Sequence, residues 1–435
     1  MTKKYDYTEG GSYASDSSPV LIRNVPVGNL KISAVKNEAD GELTVQTVSL
    51  GRSVASVTVK EAPSVYGFRI AVNTADPSAR VTYPQTIHGQ TNGAYGKTPA
   101  SGTGANCMND WAGCELISGI KRQKGSAGGG WTDITNNAAW QTGNYGSDMM
   151  TYVPTWYMKM TNDGTNIDCA FSQEKIDDTW KDYAGSVGTN HVGHFRVGCF
   201  AGYLYDNTDT VMLLSQGNVV PTVNKSITNF ITYAKARGTG YDIMTWYQYM
   251  YLQALAVLLY KSTNLQAAMA QGYVGGSSVQ SETALTFSND YGMAGGTSKT
   301  QQMAFFWIQN LWGNMYQFVG GAKTDSSYKL MTQTGYSSVN DSDFDKKSLG
   351  GPSSSLTGGY ISKVVGTTDA GFFPTEIFGS GSTYFADYGL VYTSYFPYVG
   401  GYYNHGDFAG PFLAYFYYSA TNTNTYVGSR LSYRL

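Results

Sequence analysis

The strongest constraint on what this chain can fold into lies in its last 59 residues, Ile377 to Leu435, which contain no Lys, Glu, Gln, Met or Trp. The whole chain holds 67 residues of these types, so about nine would fall in this stretch under uniform usage. The same stretch is dense in Tyr and Phe, from Tyr384 and Phe385 through Tyr415, Phe416, Tyr417 and Tyr418 to Tyr426. The five missing types are those that no codon ending in C encodes, and randomising the first two bases of AAC triplets yields all the others. The pattern points to targeted diversification of a binding surface. Biased usage in an aromatic region of strands and loops is the plainer alternative.

Charge narrows the partners. Charged residues make up 14% of the 435 residues and the formal net charge is -2, which gives no electrostatic footprint for nucleic acid or an anionic membrane. Gly (52) and Tyr (36) are high, a loop-rich composition of extracellular type. The opening residues lack the apolar run of a signal peptide. The longest apolar stretch, Leu252 to Tyr260, is interrupted by Gln253 and is too short to span a bilayer. These features fit a protein assembled inside a cell and released by lysis, as a virion component is, and no membrane insertion is expected. A plain cytosolic protein is the competing reading.

Three segments are expected. Residues 1–18 are polar and Gly/Ser-rich, and read as an extended or flexible attachment segment. Residues 19–62 alternate, with strands expected at 21–22, 30–35, 43–48 and 54–59, and turns at Val25–Gly28 and Glu38–Gly41. A break at Pro63 then opens a long domain over 64–435. Within it, Tyr152–Lys159 reads as a strand, and Phe171–Lys181 as polar with a possible helical turn. Ser226–Ala236 reads as a short helix. A long helix is expected from about Thr245 to Gln271, capped by Asp242 and closed by Gly272. Its aromatics Trp246, Tyr249 and Tyr260 are assigned to the core. Strands and long loops are expected after Phe305. The fold class is therefore α+β with low regular content.

Trp307-Ile-Gln-Asn-Leu-Trp312-Gly313-Asn314-Met315-Tyr316-Gln317-Phe318-Val319 is the most specific motif. It resembles the "LWGNVWEWV" segment of the C-type lectin fold in its formylglycine-generating-enzyme branch. Val399–Tyr403 resembles the "GGSW" stretch of that branch. Ala409–Phe412 followed by Val427–Leu431 resembles its "AGxF…IGFRL" terminus. Residues 19–62 resemble small β-sandwich modules of phage structural proteins and of surface proteins. The block around Tyr66–Ile70 and Asp76–Tyr83 resembles the opening of a domain in predicted phage tail proteins of gut bacteria. Within the lectin branch, the run from Gly401 to Leu431 is similar to the variable proteins of diversity-generating retroelements, whose template reads like "GGNWNNGSNAGxFxxNxNNSATNTNTNIGSRL". Gly401, Gly406, Ala409, Gly410, Phe412 and Gly428 match the frame.

The resemblance implies a C-type-lectin-like domain over 64–435, preceded by a small β-sandwich module over 19–62, with a variable region at about 384–427. It implies a non-enzymatic receptor-binding adhesin of a bacteriophage tail, localised to the virion tail tip and present outside cells after host lysis. Its partners would be a host cell-surface receptor (glycan or protein), other tail proteins through the N-terminus, and two copies of itself in a homotrimer. The ligand-binding residues would be Tyr402, Tyr403, His405, Asp407, Phe408, Leu413, Tyr415, Phe416, Tyr417, Tyr418 and Tyr426, with buried exceptions expected among Tyr415–Tyr418 because strands alternate. Rigid aromatics and small adaptable residues are paratope chemistry. Two other readings stand beside this one: a diversified ligand-binding protein displayed on a bacterial surface, and a structural tail protein whose aromatic tail is buried in an oligomer.

Catalysis, a cofactor and a metal are not expected. No Cys follows Cys199, which removes the chemistry of the formylglycine-generating enzymes. His191 and His194 do not make the three-His cluster of the related iron enzymes. Phosphate loops and nucleophile elbows are absent. Cys107 and Cys114 are close enough in sequence to pair, and free thiols are the alternative.

Overall fold

A computed structural model of the protein describes residues 63–125, 130–135, 147–207 and 210–435, together with the backbone of five strands between residues 3 and 59. The chain divides into two compact units, Met1–Ser64 and Val65–Leu435.

In the first unit, Lys3–Asp6 pairs parallel with Val20–Val25, which pairs antiparallel with Val54–Val59. Gly28–Val35 and Leu43–Leu50 form a separate hairpin. The four expected strands fall inside these elements. The remainder of residues 1–18 and the Glu38–Gly41 turn lie outside the described residues, as do Pro26 and Val27 of the first turn.

The second unit is mostly β, with few helices. At its centre runs the helix Trp246–Tyr260, and every residue of it is buried. A buried helix must be wrapped by other elements, and its rings pack on Phe171, Phe195 and Phe416, which come from three different sheets, two of them six-stranded. The C-terminal sheet has the order Leu356–Tyr360, Tyr388–Val391, Gly410–Tyr418, Phe396–Gly400, Tyr316–Phe318, Val427–Ser429. The second sheet has the order Trp131–Asp133, Lys121–Gly125, Met149–Pro154, His194–Gly198, Leu431–Tyr433, Tyr241–Ile243. The chain's last strand thus completes one sheet directly after the preceding strand closes the other.

The helix is shorter than the expected span to Gln271, and its cap lies elsewhere. Thr245, not Asp242, is the N-cap: its hydroxyl accepts from Gln248 N while the Gln248 side chain accepts from Thr245 N. Asp242 is buried and paired with Arg434 and Ser337. The helix ends at Tyr260 because Lys261 turns left-handed (φ 50°), and a separate turn, Leu265–Ala268, follows before Gly272. The shorter helix spans Ile227–Lys235 under the Ser226 cap. Residues 171–181 contain no helix, and Tyr152–Lys159 is split into two strands in different sheets around Thr155 and Trp156. All four cysteines are buried free thiols, so Cys107 and Cys114 do not pair. Among the described residues, no helix is long and apolar enough to cross a membrane.

Candidate ligand-binding site

Successive residues of a strand face opposite sides of its sheet. In Gly410–Tyr418 this sorts the aromatic run into two populations. Phe412, Ala414 and Phe416 face the central helix, with Phe416 5.6 Å from Trp246 and Phe412 5.1 Å from Phe372 between ring centroids. Leu413 and Tyr415 join a second cluster on the other face. A bulge then intervenes: Phe396 pairs with Tyr418 while Pro397 pairs with Phe416, so Tyr417 is the extra residue. Tyr417 swings out to 47% exposure, and Tyr418 rejoins the face of Tyr415, 4.7 Å from Tyr398.

That face carries a row of tyrosines across the sheet. Tyr360 lies opposite Tyr388, Tyr415 opposite Tyr398, and Tyr316 stands beside Tyr398 at 4.7 Å. Tyr316 is the buried hub. Around it stand Tyr402 at 5.1 Å, His405 at 5.2 Å, Tyr415 at 5.7 Å and Tyr426 at 5.9 Å. Tyr402 and Tyr426 stack on each other at 4.6 Å and 23°. Phe408, 40% exposed, leans on Tyr388 at 4.5 Å and Tyr360 at 5.6 Å. Offset and edge-on packing of this kind holds rings in place beyond the area they bury.

Backbone contacts with the Trp307–Val319 motif hold the loop that presents these rings. Gly313 adopts φ 83°, and a Cβ there would come within 2.9 Å of the Tyr273 backbone. Asn314, also left-handed, donates its backbone N–H to Tyr273 O (2.7 Å) and accepts through its carbonyl from Tyr403 N (3.1 Å). Gly313 N donates to Gly400 O, and Gly406 N to Val274 O. The Asn314 side chain accepts from Gln280 N and donates to Gln280 O and to the buried Glu282. Beneath it, Arg430 donates to Gln317 Oε1 and to the carbonyls of Gly198, Gln309 and Asn310. The motif thus sets a few buried amides, those of Asn310, Asn314 and Gln317 among them, within an apolar core of Trp307, Ile308, Leu311 and Trp312. Among the described residues, Gln309 Oε1 is left without a partner.

The face itself carries almost no charge. Burial pushes the His405 imidazole down to about 4, so it is neutral near pH 7. Its Nε2 lies 3.0 Å from Tyr316 Oη and 3.4 Å from Tyr415 Oη. Burial also raises the Tyr316, Tyr398, Tyr402 and Tyr415 hydroxyls, and lifts Tyr418 to about 12. At the rim, Asp407 pairs with Lys299 at 2.8 Å. Below the loop, Asp387 is buried and accepts from Phe412 N (2.7 Å) and Gln266 Nε2 (3.1 Å); desolvation raises its carboxyl well above the usual range. A side chain on Gly410 would collide with this carboxylate. Among the described residues, no group of three or more His, Cys, Asp or Glu could hold a metal ion.

Of the eleven expected site residues, nine are at least partly exposed: Tyr402, Tyr403, His405, Asp407, Phe408, Tyr415, Tyr417, Tyr418 and Tyr426. Leu413 and Phe416 are not surface residues. Both are fully buried, Phe416 because strand alternation turns it to the helix and Leu413 because it packs within the aromatic cluster. Tyr360, Tyr388, Tyr398 and Tyr316 belong to the same face although the template frame does not mark them. Tyr388 and Tyr398 lie in the aromatic-dense tail, and Tyr316 sits in the landmark motif. Nothing in the local sequence distinguishes Tyr360.

The sequence matches no protein-family model and no curated protein. Among solved structures, the chain is similar to Major Tropism Determinant M1 Variant at 11% identity and TM-score 0.29, covering 97% of this chain and 85% of that one. It is similar to the I1 Variant at 12% identity and TM-score 0.29, covering 97% and 84%, and to the P3c Variant at 12% and 0.24, covering 97% and 84%. The second unit is a mostly-β domain that carries a nearly uncharged aromatic face on one sheet.

Proposed function

We propose that this chain is a non-enzymatic receptor-binding protein of a bacteriophage tail, and that the tyrosine face is its receptor surface. Residues 64–435 would be a C-type-lectin-like domain that belongs with the variable proteins of diversity-generating retroelements. One observation carries the reading. Seven positions at which the template has Asn (Tyr402, His405, Phe408, Tyr415, Tyr417, Tyr418 and Tyr426) lie partly exposed around one aromatic face, while Gly401, Ala409, Gly410, Phe412 and Gly428 are buried. Residues that change without unfolding a domain must face solvent, and those that hold backbone shape must not. The chain would be a homotrimer at the virion tail tip, attached to other tail proteins through residues 1–62, with neither nucleic acid nor membrane insertion in its role.

The test is adsorption. Purified full-length protein should bind whole host cells, and Tyr402→Ala, Phe408→Ala or Tyr417→Ala should weaken that binding by about 1–3 kcal/mol each with little change in unfolding midpoint. Binding unchanged in all three variants would reject the surface. One observation favours a second reading, a structural oligomer contact: an exposed aromatic cluster of this kind seldom stays uncovered. In that case the same variants should dissociate the oligomer rather than lose cells.

A further inference from the structure

The outward face of the second sheet holds an arrangement unlike the tyrosine face. Paired residues form a row across it: Lys121 opposite Tyr152, Tyr152 opposite Arg196, Arg196 opposite Tyr433, and Tyr433 opposite Tyr241. The Arg196 guanidinium lies 4.7 Å from the Trp131 ring centroid, 5.0 Å from Tyr152 and 5.6 Å from Tyr433. Its hydrogen bonds go to neutral groups: Nε donates to Gln123 Oε1 at 2.8 Å, and an Nη lies 3.0 Å from His194 Nε2. Burial and then the Arg196 charge lower the His194 pKa, so the imidazole is neutral and accepts. Among the described residues, no carboxylate pairs with Arg196. Its neighbouring cations are paired, Lys121 with Asp133 at 2.9 Å and Arg237 with Asp148.

We infer that this cage is a binding site for a carboxylated sugar, with Arg196 receiving the acid and the surrounding rings receiving the sugar's apolar face. Arg196 is only 8% exposed, whereas Trp131, Tyr152 and Tyr433 are half-buried around it. A buried cation without a counter-charge is costly, and an incoming carboxylate removes that cost. The planar guanidinium suits a carboxylate better than a point charge would. The ring faces add stacking area at little conformational cost. A neutral ligand would leave the cation uncompensated, and a small inorganic anion would leave the rings unused. The site shares no residue with the tyrosine face, so either can fail without the other.

The experiment is calorimetric titration of the full chain with glucuronate, glucose and acetate. Glucuronate should bind saturably, glucose should not, and acetate should bind at least tenfold more weakly than glucuronate. Arg196→Met should abolish glucuronate binding while leaving the unfolding midpoint unchanged or higher, because an uncompensated charge has been replaced by an apolar chain of similar length. If that variant does not fold, Arg196→Lys keeps the charge without the planar fork and should weaken binding at least tenfold. Trp131→Ala should narrow the gap between glucuronate and acetate. The inference is overturned if wild-type protein does not bind glucuronate, if acetate binds equally well, or if the Arg196 variants bind as the wild type does.

Discussion

The Trp307–Val319 motif and the aromatic tail meet at the same loop and share the Tyr316 ring, yet different contacts hold them. The motif is buried, and its amides are held by directed bonds: Asn310, Asn314 and Gln317 are enclosed and matched by Glu282, Arg430 and backbone groups. The tail around 402–426 is half-exposed and aromatic, with rings leaning on rings rather than polar atoms on polar atoms. Hydrogen bonds are directional, and a missing partner is expensive, so the motif fixes one backbone geometry. Ring packing is tolerant, so a tail of this kind can change side chains and keep its frame.

The comparison breaks first if the frame is not rigid. Arg430→Ala should lose about 3–5 kcal/mol in urea unfolding, because it strips donors from Gln317 and three buried carbonyls and leaves Glu282 without its nearby cation. Phe416→Ala, on the inward side of the tail strand, should cost about 3–4 kcal/mol in the same measurement. A loss as small as that of an exposed tyrosine would mean the strand's alternation is misplaced.

The next test sharpens the aromatic side. His405 is held neutral by burial, its pKa depressed to about 4 from an ordinary 6.5. Above pH 6.5 it is neutral folded or unfolded and contributes no slope. Between about 6.5 and 4 the unfolded chain takes up a proton that the folded one refuses, so stability falls as pH falls, by up to ~2 kcal/mol. Below about 4 the loss levels off. Comparing urea midpoints of wild type and His405→Phe across that window should show the slope reduced in the variant. The smallest effect belongs to Tyr417→Ala, at the bulge, which should change stability by under ~0.5 kcal/mol.

Much of this division was legible in the sequence. Val–Thr alternation gave the strands of residues 19–62, and Ser226 announced its helix. Most of what escaped was non-local. The long helix stops at Tyr260, short of Gly272, because Lys261 turns left-handed at the start of the polar Lys261–Asn264 stretch and a separate short helix takes up Leu265–Ala268. Leu413 looks like a variable surface position but is sealed beneath the cluster, and no period-two pattern could reveal that cover. Tyr360 reaches the site only through strand pairing with Tyr388, a register set by the whole sheet. The bulge at Tyr417 shifts the faces of the last two tyrosines by one residue, which periodicity alone assigns wrongly.

The central claim, an open aromatic face over a buried, hydrogen-bonded frame, is most directly tested by hydroxyl-radical footprinting of the intact assembly, read by mass spectrometry. Tyr403, Phe408 and Tyr417 should oxidise readily, and Tyr247, Tyr249 and Phe416 should stay protected. Protection of Phe408 and Tyr417 equal to that of Phe416 would mean that the face is covered within the assembly and is not a receptor surface.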